Sequence, residues 1–192
     1  APVKRSPDEI IADFRKVPPH EVTDAMLREL AAMDEEHRAL ITEIKVNAAK
    51  EVTLSGLKTL PTFPNLKNLE ANQLGFGRNS EALGELNKCS DLESLAIVKT
   101  GLQDGDLSHL TSLQNLKAIN IDDNGGLSDR SFDQLARLKN LERLYMSNCR
   151  ITGAGMTFFN DPKLKHPGLK VIVANQTQFG LLGLPNIARW KS

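Results

Sequence analysis

Leu92-Glu93-Ser94-Leu95-Ala96-Ile97-Val98-Lys99-Thr100-Gly101-Leu102 decides the fold, because its pattern returns further along the same chain. One period on it reads Leu116-Lys117-Ala118-Ile119-Asn120-Ile121-Asp122-Asp123-Asn124-Gly125-Gly126-Leu127, and after another Leu141-Glu142-Arg143-Leu144-Tyr145-Met146-Ser147-Asn148-Cys149-Arg150-Ile151. Leu or Ile fills the first and fourth positions, with an apolar residue at the sixth. A further apolar residue (Leu102, Leu127, Ile151) follows ten or eleven residues after each start. Working outward, the same phase occurs as Ile41-x-x-Ile44-x-Val46, Leu66-x-x-Leu69-x-Ala71 and Leu169-x-x-Ile172-x-Ala174. The first positions are 25, 26, 24, 25 and 28 residues apart. Six phased occurrences exceed what chance placement of leucines gives, so the chain is built from one repeated unit.

Alternating apolar residues make a short strand with one buried face. The residues between strands must then return along the opposite side as a helix or 3₁₀ turn. Candidates run over 80–86, 105–110 and 128–138, where apolar residues recur every three or four. Asp104 and Ser128 read as their N-caps. The composition agrees: 28 Leu stand against one Trp, one Tyr and seven Phe.

The motif, with Thr100, Asn124, Cys149 and Thr177 at the ninth position, resembles that of the leucine-rich repeat family. The resemblance covers roughly residues 22 to 190. It implies an α/β fold: a right-handed solenoid, bent like a horseshoe, with a parallel β-sheet on its concave face and helices on its convex side. Leu102-Gln103-Asp104, Leu127-Ser128-Asp129 and Ile151-Thr152-Gly153-Ala154-Gly155 look like the I-T-D-x-G step of cysteine-containing and related bacterial repeats. Cys89 and Cys149 occupy the two places where that subclass uses cysteine. These repeats serve many unrelated binding roles, so the resemblance implies a fold and no activity.

Three regions are expected. Residues 1–38 form a helical N-terminal cap, 39–180 hold about six repeats, and 181–192 form a C-terminal cap. Ser6-Pro7-Asp8-Glu9 before Ile10, Ile11 and Phe14 is an N-cap, a first-turn Pro and an acidic first turn. Pro18-Pro19 stops that helix. Thr23-Asp24 opens a second one with Leu27, Leu30 and Met33 on one face, and Val22-Thr23-Asp24 mimics the repeat's own step. At the far end, Leu184-Pro185-Asn186 resembles the segment that closes many bacterial solenoids, with Trp190 over the last repeat. Ala1-Pro2-Val3-Lys4-Arg5 has neither a starting Met nor an apolar run. The expectation is a removed export signal, hence a periplasmic, cell-surface or secreted bacterial protein, with a fragment of a larger protein and a cytoplasmic location as alternatives.

Several functions are disfavoured. Across 192 residues, 24 Lys+Arg balance 24 Asp+Glu, which gives no electrostatic footprint for nucleic acid or an anionic membrane. No apolar run is long enough to span a bilayer. His20, His37, His109 and His166 share no ligand spacing, and no nucleophile, zinc, phosphate-loop or dinucleotide motif occurs. Asp122-Asp123-Asn124-Gly125-Gly126 lacks calcium-loop spacing and reads as a turn. Cys89 and Cys149 lie too many strands apart to reach the roughly 7 Å limit for a disulfide, so both read as buried thiols. No catalytic residue, metal or cofactor is expected.

That leaves the concave face, formed by the third, fifth, seventh and eighth positions. It is polar and nearly neutral, and the acidic and basic residues near Ile44 and Leu69 read as a solvated stretch. The only tyrosine, Tyr145, sits beside Arg143, with Val171 and Val173 on one side and Asn120 and Asp122 on the other, and Lys99 nearby. Tyr and Arg among apolar neighbours are the composition of a binding hot spot. The expected function is a non-enzymatic, monomeric module binding a protein or peptide there, without nucleic acid or membrane insertion. Alternatives are the substrate-recognition domain of a larger enzyme or effector, such as a ubiquitin-ligase-like protein, and a structural surface or envelope protein. The 28-residue last interval, with Asp161-Pro162 and His166-Pro167, is a loop of undetermined role.

Overall fold

A computed structural model describes residues 5–76, 80–164 and 169–180. Trp190, Leu184-Pro185-Asn186, His166-Pro167 and the first four residues lie outside them. Six strands, β1 (Glu43–Lys45), β2 (Asn68–Glu70), β3 (Ser94–Ala96), β4 (Ala118–Asn120), β5 (Arg143–Tyr145) and β6 (Val171–Val173), form one parallel sheet in chain order. The register places like positions of successive repeats side by side: Glu43, Asn68, Ser94, Ala118, Arg143 and Val171 in one row, Lys45, Glu70, Ala96, Asn120, Tyr145 and Val173 in another. The fourth-position residues between them, from Ile44 to Leu144, are buried, as are the first and sixth positions of the first five repeats. The sheet is open, and the architecture is a right-handed solenoid.

The return segments are short. They are α4 (Leu54–Leu57) with a 3₁₀ turn Leu60–Thr62, then α5 (Ser80–Leu86), a 3₁₀ run Asp104–Leu110, α6 (Ser131–Leu135) and a 3₁₀ run Ala154–Asn160. A 3₁₀ run rises about 2.0 Å per residue against about 1.5 Å for an α-helix, so it spans the return with fewer residues. Ahead of the sheet lie α1 (Pro7–Phe14), a 3₁₀ turn Pro19–Glu21, α2 (Asp24–Ala31) and α3 (Glu35–Arg38). Ser6 and Glu9 close a capping box on α1, and Thr23 caps α2, burying Leu27 and Leu30.

Two expected N-caps are corrected. The 3₁₀ run starts at Asp104 itself and Gln103 precedes it, while α6 begins after Arg130. Asp104 instead reaches the next repeat, where its carboxylate accepts from the N–H and hydroxyl of Ser128 at 2.7 and 2.6 Å. Asp129 does the same for Thr152 (hydroxyl, 2.6 Å) and the Gly153 N–H (2.9 Å). Asp24 repeats it for Thr53 at 2.8 and 2.5 Å. The Thr23-Asp24 step ahead of the first strand thus bonds as the repeats do. Gly155 is required by the same joint, since a Cβ there would collide with the Asp129 carbonyl and the Phe132 ring.

The chain leaves each strand through one residue in the left-handed region. Ala48, Gln73, Lys99, Asp123, Asn148 and Gln176, the eighth positions, all have φ between 53° and 61°, and none is glycine. Non-glycine residues there cost about 1 kcal/mol each, which the surrounding hydrogen bonds must offset. Buried Asn124 supplies the densest of these. Its Oδ1 accepts from the Thr100 and Leu102 N–H groups at 3.0 and 3.1 Å. Its Nδ2 donates to the Ile97, Ile121 and Asp122 carbonyls at 2.9–3.2 Å. The cap of the repeat motif is therefore a fully satisfied buried amide.

Candidate functional site

The concave face divides into two stretches with one backbone and different side-chain economies. At β1 and β2, Lys45 bridges Glu43 at 3.3 Å and Glu70 at 3.0 Å, and the Asn47 amide donates to Glu70 at 2.8 Å. Hydrogen bonding and charge from Glu70, then Glu43, hold the Lys45 ammonium above its ordinary pKa. Partial burial pushes the Glu70 carboxyl up, but Asn47 and Lys45 outweigh it and hold it below its ordinary value. These groups satisfy one another.

Along one edge the second positions alternate in sign. Lys67 and Lys117 pair with Glu93 at 3.1 and 2.7 Å, and Lys170 pairs with Glu142 at 2.8 Å. This ladder lies at the second positions, outside the third, fifth, seventh and eighth that form the concave face. Its signal, a charge that flips once per period, is present in the chain.

At β5 and β6 the pattern reverses. Arg143 is exposed and its guanidinium has no hydrogen bond or salt bridge among the described residues, nor has the hydroxyl of half-buried Tyr145. Register pairs Arg143 with Val171 and Tyr145 with Val173. Val171 is 41% exposed, one of three large apolar side chains so exposed among the described residues, with Leu40 and Phe158. Arg143, Tyr145, Val171 and Val173 thus form one contiguous block. On its inner side Tyr145 faces Asn120, and Arg143 faces Ala118. Ala118, expected to face solvent, is buried at 8% exposure because its methyl is too short to clear its neighbours.

The other candidates have structural partners. Four seventh-position side chains form a ladder in which each accepts the next repeat's backbone N–H. Asn47 takes Asn72 (3.0 Å), Asn72 takes Val98 (2.8 Å), Asp122 takes Ser147 (2.5 Å) and Ser147 takes Asn175 (3.2 Å). Val98 has no acceptor to offer, and the Asp122 N–H turns instead to Asn120 Oδ1 of its own strand at 3.0 Å. Asn120 and Asp122 therefore carry backbone as well as facing the block. Lys99 occupies a left-handed turn position, and its exposed ammonium has no ion pair among the described residues.

Both cysteines are buried and free. Burial, with Glu85 nearby, pushes the Cys89 thiol up to about 12, and burial pushes Cys149 up to about 11 against a bond from Asn124. Burial and the raised pKa make both thiols poor nucleophiles at neutral pH. Among the described residues no group of His, Cys, Asp and Glu is placed to hold a metal ion, and no helix is long and apolar enough to cross a membrane.

No protein-family model and no curated protein matches the chain. Solved structures do. TLR13, in a complex with ssRNA13, matches with a TM-score of 0.51 at 14% identity over 78% of this chain. An internalin (InlF) from Listeria monocytogenes matches with a TM-score of 0.42 at 16% identity over 96% of it. The chain spans 21% of the length of the first and 60% of the second. At such identities the likeness to TLR13 speaks for the fold alone: a leucine-rich-repeat solenoid.

Proposed function

We propose that this chain is a non-enzymatic interaction module that binds a protein or peptide on its concave sheet, centred on Arg143 and Tyr145 with Val171 and Val173, and flanked by Asn120, Asp122 and Lys99. The observation that carries the reading is the unpaired guanidinium of Arg143 beside exposed Val171, on a face whose other half is internally paired. The β5 backbone is paired on both sides, and Arg143 and Tyr145 need break no side-chain bond among the described residues to engage a partner; such residues dominate interface energetics. The nearly neutral face makes shape and hydrogen bonding, rather than charge steering, the basis of affinity. Nothing in the mechanism needs a cofactor, and a single copy of the chain suffices. The proposal holds alike for an exported protein, for a cytoplasmic one and for a recognition domain within a longer enzyme.

The nucleic acid in the TLR13 complex raises a second reading. Against it, the chain has zero net charge, and Glu43, Glu70, Asp122 and Asp123 share the concave face. The deciding experiment is affinity capture from the source organism's extract and culture fluid by wild type beside the Arg143→Glu/Tyr145→Ala double variant, with circular dichroism to confirm folding. A partner held by wild type and lost by the variant is the expected result. Equal capture by both moves the site to the convex side, and capture of no partner favours a structural role.

A further inference from the structure

We infer that the segment bound at this block is acidic and aliphatic: an Asp or Glu side chain held by Arg143, with an aliphatic side chain from within two residues of it lying on Val171 and Val173. The inference rests on the concave-face reading and names the chemistry of its ligand.

The first argument is charge complementarity. On the sheet and its edge, Lys45, Lys67, Lys117 and Lys170 each have a carboxylate within 3.3 Å. Among the described residues Arg143, on the same surface, has no carboxylate in hydrogen-bond or ion-pair contact; the neighbouring Glu142 carboxyl is held and lowered by Lys170, and the Arg143 charge only adds to that lowering. Lys99 is also without an ion pair among them but lacks the apolar partner strand that Arg143 has. A guanidinium is a planar fork of donors matched to a carboxylate, and it tolerates apolar surroundings better than an ammonium does. Its register partner, Val171, supplies those surroundings at 41% exposure, and Val173 extends them along β6.

The second argument is scale. Third and fifth positions are two residues apart, roughly 7 Å, and adjacent strands are roughly 4.8 Å apart. The block is therefore about as large as two or three side chains of an extended peptide. The third argument excludes a chain-terminal carboxylate, which is usually captured by convergent free backbone N–H groups. β5 is paired on both sides, so its backbone is already engaged and recognition falls to side chains. An internal acidic side chain brings one charge to one guanidinium, whereas a phosphate backbone brings a row of charges onto a surface that also carries Asp122 and Asp123 in the adjacent repeat.

The test is selection of a random-sequence displayed peptide library on the full chain, in parallel on wild type, Arg143→Glu and Val171→Asp. Enriched peptides are then synthesised and titrated by fluorescence anisotropy beside oligouridine, and their contacts mapped by amide chemical shifts. Arg143 and Val171 are exposed, so both variants are expected to keep the wild-type melting temperature. Expected are wild-type peptides with Asp or Glu within two residues of Ile, Leu or Val, bound about tenfold or more weakly by Arg143→Glu. Selection on Arg143→Glu should turn to Lys or Arg in the acidic place. Peptides without acidic residues that still lose binding in Arg143→Glu would overturn the ligand chemistry and leave the concave site standing. Peptides bound equally by all three proteins, with shifts mapping elsewhere, would overturn both. No enrichment over an unrelated bait would also overturn both, and oligouridine binding that depends on Arg143 would replace the peptide with a nucleic acid.

Discussion

The two ends of the concave sheet share strand length, register and the left-handed exit turn, yet one is closed and the other open. At β1–β2, Glu43, Lys45, Asn47 and Glu70 consume one another's hydrogen bonds and charge. At β5–β6, Arg143 and Tyr145 make no side-chain bond among the described residues, and Val171 is bare. Since the backbone is the same, the difference lies in side-chain choice alone. A partner approaching the first end must break an existing network, while one approaching the second finds groups with no side-chain hydrogen bond to break among the described residues. Availability, rather than the number of charges, separates a binding surface from a solvated one.

The two ends meet at the third and fourth repeats, and Asn124 is the joint between them. Replacing it by leucine leaves the Thr100 and Leu102 N–H groups and the Ile97 carbonyl short of partners in a dry environment, although Thr100 Oγ1 still serves that carbonyl. The Asn124→Leu variant should lose about 3–5 kcal/mol, the largest effect expected. In a solenoid, coupling runs only through neighbours, so urea unfolding of this variant should broaden or split into two transitions. A single sharp transition at the wild-type midpoint would mean that Asn124 does not join the halves.

Next in size is the binding contrast. Arg143→Glu/Tyr145→Ala should weaken the captured partner about 100-fold, or roughly 2.7 kcal/mol, with little change in melting temperature. Lys45→Met should do the reverse, leaving affinity within about twofold and lowering stability by roughly 0.5–1 kcal/mol. If Lys45→Met weakened binding as much as the double variant, the contrast between the two ends would be broken.

The sequence makes the scaffold readable because each inward position repeats one chemistry at one period. Leu95, Ile119 and Leu144 announce their own burial, and Thr100, Asn124 and Cys149 mark the turn. What escapes are the bonds whose donor and acceptor only the stacking of repeats brings together without a periodic mark in the sequence. Asp104 looks like an N-cap because an acid before a helical run ordinarily is one, but its nearest donors belong to Ser128, brought alongside by stacking. Likewise the Tyr145–Arg143 pair is visible in the chain, whereas its lack of partners becomes visible only once the neighbouring strands are placed. The Lys67–Glu93–Lys117 ladder was readable in principle, since adjacent repeats stack in register and its sign alternates with the period.

The closed end should also answer to acid. Partial burial raises the Glu70 carboxyl while Asn47 and Lys45 lower it further, so its folded pKa lies below the ordinary 4.5. A carboxylate lowered on folding stabilises above its ordinary value, and that stabilisation is lost as pH falls through the folded one. Between pH 7 and the ordinary value, wild type should therefore exceed Glu70→Gln in stability, by roughly 0.5 kcal/mol for a partly exposed group. Below the folded value the two should converge. Binding at Arg143 should be indifferent to the substitution throughout, and a pH-independent gap in melting temperature would assign the loss to packing instead.

The smallest effect probes where one end gives way to the other. Val98 interrupts the ladder of seventh-position acceptors, and Asn120 compensates by taking the Asp122 N–H. An asparagine at 98 would restore the pattern seen at Asn47 and Asn72, supplying Asp122 from the preceding repeat and releasing the Asn120 amide toward Tyr145. Val98→Asn exchanges one acceptor of the Asp122 N–H for another and gives up a half-buried valine, so stability should change by no more than about 0.5 kcal/mol. The released amide is the informative part. If Asn120 belongs to the open end, partner affinity should shift in Val98→Asn while Asn120→Ala in that background costs no stability. If Asn120 only mends the ladder, Val98→Asn should leave affinity unchanged, and the open end would begin at β5.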